Sequence, residues 1–310
     1  MSYKPEGYLI GESENLEYIS SQAGLERALE RQKILESTAL LCDNTFTLHF
    51  DLCGLHGIMP RDEVQYNREK EETKDIAILT RVGKPTCFKI VGFRREKSGE
   101  LCAILSRRAA QMECHYQFIS TLEPGDILPA RVTHLENFGA FVDIGCGIIS
   151  LLSIDTISVS RITHPKDRFQ AGDRINVVVK TVDQDGRIYV SQRELLGTWL
   201  ENASRFSVGQ TVAGIVRSIE TYGIFIELAP NLAGLAEWKE GVEVGAQAAV
   251  YIKSIIPDRM KLKLVLIDAH NGAAPRMPLH YFIDPKKESH ISFWRYSPPG
   301  CSKIVETDFT

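Results

Sequence analysis

The chain lacks the features that mark several whole classes of protein. No apolar run approaches the ~20 residues needed to cross a bilayer as a helix, so no membrane partner is expected. The opening MSYKPEGYLIGESENLEY has no basic start followed by an apolar segment, so no secretory signal is read there. Seven cysteines, at 42, 53, 87, 102, 114, 146 and 301, form no CxxC pair. Their odd number and scatter point to reduced thiols in a cytoplasmic protein, not to a disulfide scaffold or zinc ribbon. Cys53 and His56 are spaced like half of a metal site. With no second half they read as ordinary loop or core residues, and no metal or cofactor is expected. Positive charge is not in excess: Lys and Arg number 36 against 40 Asp and Glu. That argues against a strongly basic, nonspecific polyphosphate binder, so any nucleic-acid contact must rest on a local patch or on stacking. Nucleophile elbow, phosphate loop and HExxH are all missing. His115, His134 and His164 each stand apart from candidate partners in sequence, so an enzyme is not expected.

What is present centres on Glu136 to Ile144, ENFGAFVDI. Phe138 and Phe141 flank Gly139 in a short run that alternates like a half-buried strand. Three residues apart in an unbroken strand, the two rings would face opposite sides. A bend or bulge at Gly139 brings them to one face, where they make a stacking platform for unpaired bases. The plainer reading is that both rings are core. Repetition favours the platform. Tyr222 and Phe225 lie 84 residues after Phe138 and Phe141. At the same offset Gly125-Asp126 aligns with Gly209-Gln210, Glu136 with Glu220, and Leu151 with Leu235. A fixed long period signals a duplicated domain.

With 310 residues there is room for two or three domains. Residues 1–34 form a polar arm and a helix, with Leu25, Ala28, Leu29 and Ile34 near helical spacing. Residues 35–110 read as a degenerate barrel of strand-like runs without the Phe-Gly-x-Phe pattern; a charged segment, REKEETKD, interrupts it, and Lys97-Ser98-Gly99 forms a turn late in it. Residues 122–193 hold five short strands, a long connection from Asp155 to Phe169, and a tight turn at Gln184-Asp185-Gly186. That pattern fits an OB-type barrel. Residues 194–206 read as a connecting helix whose Leu195, Leu196, Trp199 and Leu200 share a face, with Trp199 packed on a neighbouring barrel. Residues 207–268 repeat the barrel with a connection about ten residues shorter, since Arg187 aligns with Lys261 at an offset of 74. Residues 269–310, rich in aromatic and β-branched residues, form an extension packed as a hairpin on the last barrel. The expected class is all-β: tandem five-stranded OB-type barrels with a helical N-terminal segment and helical linkers.

The second barrel resembles the RNA-binding repeat of the bacterial ribosomal protein S1 family. The resemblance rests on Gly125-Asp126, Phe138 to Val142, Leu151-Leu152, His164-Pro165, Gly172-Asp173, Asp183 and Ile188 to Ser191. It extends over 207–268, and over 35–110 it rests on layout alone. It implies a nucleic-acid face lined by two aromatics, at Phe138 and Phe141, and by an aspartate and arginine at Asp183 and Arg187. The family's histidine position falls on Ser153, a departure from the pattern. In the third barrel the aromatic pair is Tyr222 and Phe225, the histidine position is Glu237, the aspartate position is Pro257, and Lys261 replaces the arginine. Glu237 would repel phosphate, and lysine lacks the planar fork of arginine. Arg131 and Arg187 can add phosphate contacts, or stand as solvated surface arginines. Asp183 either orients Arg187 or serves as a turn residue.

The expected function is single-stranded RNA binding, on mRNA or in association with the small ribosomal subunit, in translation. The alternative is a protein-interaction adaptor whose barrels dock a ribosomal or RNA-processing partner. Salt separates the two, because RNA binding weakens as salt rises and an apolar interface does not.

Overall fold

The computed structural model describes residues 3–67, 73–95, 99–272 and 274–310. Part of the charged segment expected after Tyr66 and the turn residues Lys97 and Ser98 lie outside the described residues. The chain divides into two compact units: the first runs to Leu122 and includes Asp143–Ile149, and the second holds the remainder.

In the first unit, α1 (Ser13–Ile19) and α2 (Gln22–Glu30) precede the strands β1 (Leu35–Cys42), β2 (Leu48–Leu52) and β3 (Leu55–Met59). Ser21 caps α2 by accepting from the Gly24 N–H, and Leu25 and Ala28 are its buried apolar stripe. Then follow α3 (Asp75–Leu79), β4 (Pro85–Arg95), β5 (Leu101–Ser106) and α4 (Arg107–Gln117). The strands close in the order β1-β2-β3-β5-β4, with β3 and β5 parallel, around Leu35, Leu48, Phe50, Phe88 and Leu105.

Glu6, Glu36 and Asp143 are buried carboxyl groups of this unit. The Glu6 carboxylate accepts from Arg107 at 2.6 Å and from Arg81 at 2.7 Å. Glu36 accepts from the N–H groups of Gly7 and Leu9, while its other oxygen is buried without a hydrogen-bond partner. Burial pushes the Glu36 carboxyl up to about 7. Asp143 accepts from the N–H groups of Glu6, Gly145 and Gly147, and burial raises its carboxyl too.

The second unit begins with β6 (Ile127–Glu136), β7 (Gly139–Asp143), β8 (Ile149–Ser153), α5 (Ile154–Ile157), β9 (Arg174–Val182) and β10 (Ile188–Ser191). After α6 (Trp199–Ala203) come β11 (Thr211–Glu220), β12 (Gly223–Ala229), β13 (Leu232–Ala236), β14 (Gln247–Ile256) and β15 (Lys261–His270). Both sets close into five-stranded barrels with the strand order of the first. The third and fifth strands are again parallel, Tyr189 opposite Leu151 and Lys263 opposite Leu235. β15 shows why the sequence makes a barrel: Leu262, Leu264 and Leu266 point into the core, while Lys261, Lys263, Val265 and Ile267 alternate outward.

The expected connecting helix is broken. A single 3-10 turn over Arg193–Leu196 ends at Gly197, whose φ is +81°, and α6 restarts under the cap of Thr198. A Cβ on Gly197 would lie 2.4 Å from the Phe282 ring, so the break makes room for the C-terminal segment. Trp199 is buried in the third barrel's core, whereas Leu200 faces solvent.

The tail closes with the hairpin β16 (Phe293–Arg295) and β17 (Glu306–Asp308). It packs on the third barrel through Trp294 and Tyr296, the latter's hydroxyl donating to the Asn231 carbonyl at 2.6 Å. It also lies along the second barrel, where Ile127 donates to the Ser289 carbonyl and Ile291 to that of Gly125. Arg168, in the connection after β8, forms a buried ion pair with Glu227 of β12. Arg217 of β11 joins Glu227 at 2.6 Å and Asp167 at 3.3 Å, so buried charge ties the second barrel to the third.

Candidate nucleic-acid interface

The two phenylalanines meet because of a turn. β7 begins at Gly139, so Phe138 sits in the two-residue turn before the strand and escapes its alternation. Its ring lies 6.0 Å from that of Phe141 at 89°, an edge-to-face pair on one side of the barrel. Phe138 is 54% exposed and Phe141 half-buried, so the pair is not core. A Cβ on Gly139 would lie 2.4 Å from the Leu152 carbonyl oxygen, so glycine lets β8 pass close beneath the rings. Ser153 lies beside this glycine, its Cα 3.1 Å from the same point.

The third barrel repeats the arrangement. Tyr222 occupies the turn, and its ring is 6.1 Å from Phe225 at 88°. Tyr222 is 67% exposed. Matching turns build matching ring pairs.

The neighbouring strands add residues that sequence reasoning missed. On β6, the His134 ring lies 6.4 Å from Phe141 at 24°, and its Nε2 is 2.7 Å from Glu136 Oε1. In the third barrel the register runs Ser218, Phe225, Leu235, Lys263 across four strands. Cross-strand neighbours share a face, so Lys263 stands on the face that carries Phe225. Lys261, two residues earlier on the same strand, points the same way, and both lysines are exposed. At the position equivalent to Lys263 the second barrel has Tyr189, half-buried opposite Leu151. A signal for His134 was available. Counting back from a two-residue turn at Asn137-Phe138 pairs residue 136 with 139 and 134 with 141, as Glu220 pairs with Gly223 and Ser218 with Phe225.

Other expected residues are placed differently from one another. Asp183 accepts from the N–H groups of Asp185 at 2.9 Å and Arg187 at 2.8 Å, so its carboxylate fastens the turn. Arg187 is exposed, and among the described residues no ion pair joins the two side chains. Arg131 of β6 lies opposite Arg174 of β9, the strand that flanks β6 on the side away from β7. Glu237 is exposed just beyond β13. Cys53 is exposed in a turn, while His56 Nε2 meets His49 Nδ1 at 2.9 Å. Among the described residues no group of three or more His, Cys, Asp or Glu side chains could hold a metal ion.

Closed barrels of this order with an aromatic pair on one outer face define a tandem OB-type protein. Residues 121–193 match the model of the S1 RNA binding domain. The chain is similar to the small ribosomal subunit protein bS1 of Mycolicibacterium smegmatis, 28% identical over 86% of this chain and 56% of that protein. The bS1 homolog of Bacillus cereus is 30% identical over 70% of this chain and 55% of that protein. The homolog of Bacillus subtilis is 34% identical over 49% of this chain and 41% of that protein. The chain thus spans about half the length of the curated relatives it matches.

Proposed function

We propose that this protein binds single-stranded RNA through the aromatic faces of its second and third barrels, and does so in translation. The observation that carries the reading is the repeated ring pair, one ring exposed and its partner half-buried, edge-to-face at the same barrel position in both domains. An exposed ring accepts any base face, and each stack contributes about 1–3 kcal/mol. Unpaired bases are required, because a duplex hides those faces inside its own stack. Phe138 and Phe141 supply the principal platform, with Ser153 beside it. Arg187 and Arg131 reach phosphates on either side, and Asp183 holds the turn that presents Arg187. Tyr222, Phe225 and Lys261 form the assisting platform. The relatives' names associate them with the small ribosomal subunit, and this chain is accordingly assigned to mRNA or ribosome-associated RNA in the cytoplasm. It acts as a binding protein, without catalysis. Among the described residues no helix is long and apolar enough to cross a membrane.

The test is competition. A labelled single-stranded RNA bound by the whole protein is challenged with unlabelled single-stranded and double-stranded RNA of one sequence. Displacement by the single strand and not by the duplex supports the reading. Equal displacement by both contradicts it.

A further inference from the structure

We propose that His134 is a third stacking ring of the second barrel, extending the platform from β7 onto β6. This rests on the single-stranded RNA reading above and assigns one more of the residues that hold the strand.

The geometry is specific. The imidazole is close to parallel with the Phe141 ring, at 24°, whereas Phe138 meets Phe141 edge-on at 89°. A base lying on Phe141 therefore finds a second ring of nearly the same tilt on the adjacent strand. The His134 side chain is 65% exposed, so its outer face is open to a base. Its orientation is held from one side: Glu136 lies 2.7 Å from Nε2, and a neutral imidazole satisfies that carboxylate as an Nε2–H donor. The ring is thus positioned before a strand arrives, which lowers the entropy lost on binding.

The third barrel supplies an internal contrast. The residue opposite Phe225 is Ser218, which has no ring. The two platforms therefore differ: three rings on the second barrel, and two rings with Lys261 and Lys263 on the third. Without an aromatic role, an exposed histidine against a carboxylate on a strand would be a surface polar contact of little consequence.

The experiment compares the whole wild-type protein with His134→Ala, His134→Phe and Phe141→Ala. Affinity for a fluorescein-labelled oligouridylate is measured at fixed salt, and thermal stability is measured alongside. His134→Ala is expected to weaken binding by about fivefold or more, the low end of one base–aromatic stack. His134→Phe is expected to restore it, with melting temperatures unchanged in both His134 variants. In the wild type, the ring resonances of His134 are expected to shift on RNA addition. If Phe141→Ala weakens binding while His134→Ala binds as wild type, the third ring is refuted and the RNA reading stands. If His134→Ala weakens binding and His134→Phe does not restore it, the residue acts through its nitrogens and the stacking role is refuted. Absence of binding by the wild-type protein overturns both.

Discussion

Arg168 and Glu227 form an ion pair with both side chains fully buried, and they come from different barrels of the second unit. Glu227 also receives Arg217, which pairs in turn with Asp167, so two carboxylates balance two guanidinium groups. Burial pulls the Arg168 pKa down, the like charge of Arg217 adds to that pull, and Glu227 opposes it. Removing one partner of such a group leaves uncompensated buried charge. Glu227→Gln is expected to destabilise the second unit by about 3–5 kcal/mol. Urea denaturation followed by tryptophan fluorescence reads this, since Trp199, Trp238 and Trp294 all lie in that unit. An unchanged midpoint would mean that the network contributes nothing net.

The two platforms are expected to be unequal. Removing the second-barrel pair, Phe138 and Phe141, should cost at least about 2 kcal/mol, some 30-fold in Kd. Removing Tyr222 and Phe225 should cost less, because Glu237, exposed just beyond β13, would repel phosphate. Glu237→Ser should therefore strengthen binding modestly. Anisotropy titrations of the variants at one salt concentration rank the sites.

Lys261 and Lys263 are expected to appear in the salt dependence. Each phosphate contact on a single strand contributes about 0.7 to the slope of log K against log salt. Lys263→Gln should reduce the slope by about that amount. His134→Ala should weaken binding and leave the slope unchanged. Titrations across several salt concentrations separate the two effects.

The first unit is expected to lose stability as pH rises from 4.5 to 7. Below 4.5, Glu36 is protonated in both folded and unfolded chains; between 4.5 and about 7 the unfolded chain ionises while burial keeps the folded carboxyl neutral. The loss amounts to at most about 3 kcal/mol and levels off above the folded value. Asp143, also raised by burial, acts in the same direction. Glu36→Gln should flatten the profile without abolishing it. The urea midpoint, followed through accessibility of the buried Cys87 to a thiol reagent at each pH, provides the measurement.

Much of this architecture was legible because barrels and strands write themselves into a period. The 84-residue repeat announced the tandem domains, and alternation such as Lys261 to Leu266 announced the strands. The Phe138–Phe141 meeting was anticipated as a bend at Gly139, and the device proved to be a turn residue placed one position ahead of the strand. His134 and Lys263 were missed because they reach the site through cross-strand register, which a reading along the chain does not count. The break at Gly197 was hidden because Phe282, which requires it, lies 85 residues away in sequence. The buried Arg168–Glu227 pair left no local trace, since each residue alone reads as an ordinary surface charge.

The most direct test of the central claim is fluorescence anisotropy of a labelled single-stranded RNA at two salt concentrations, wild type beside Phe138→Ala/Phe141→Ala. The account predicts binding by the wild type that weakens with salt and is largely lost in the folded double variant. Binding that ignores both the salt and the two rings would contradict it, and would return the barrels to the role of a protein-docking surface.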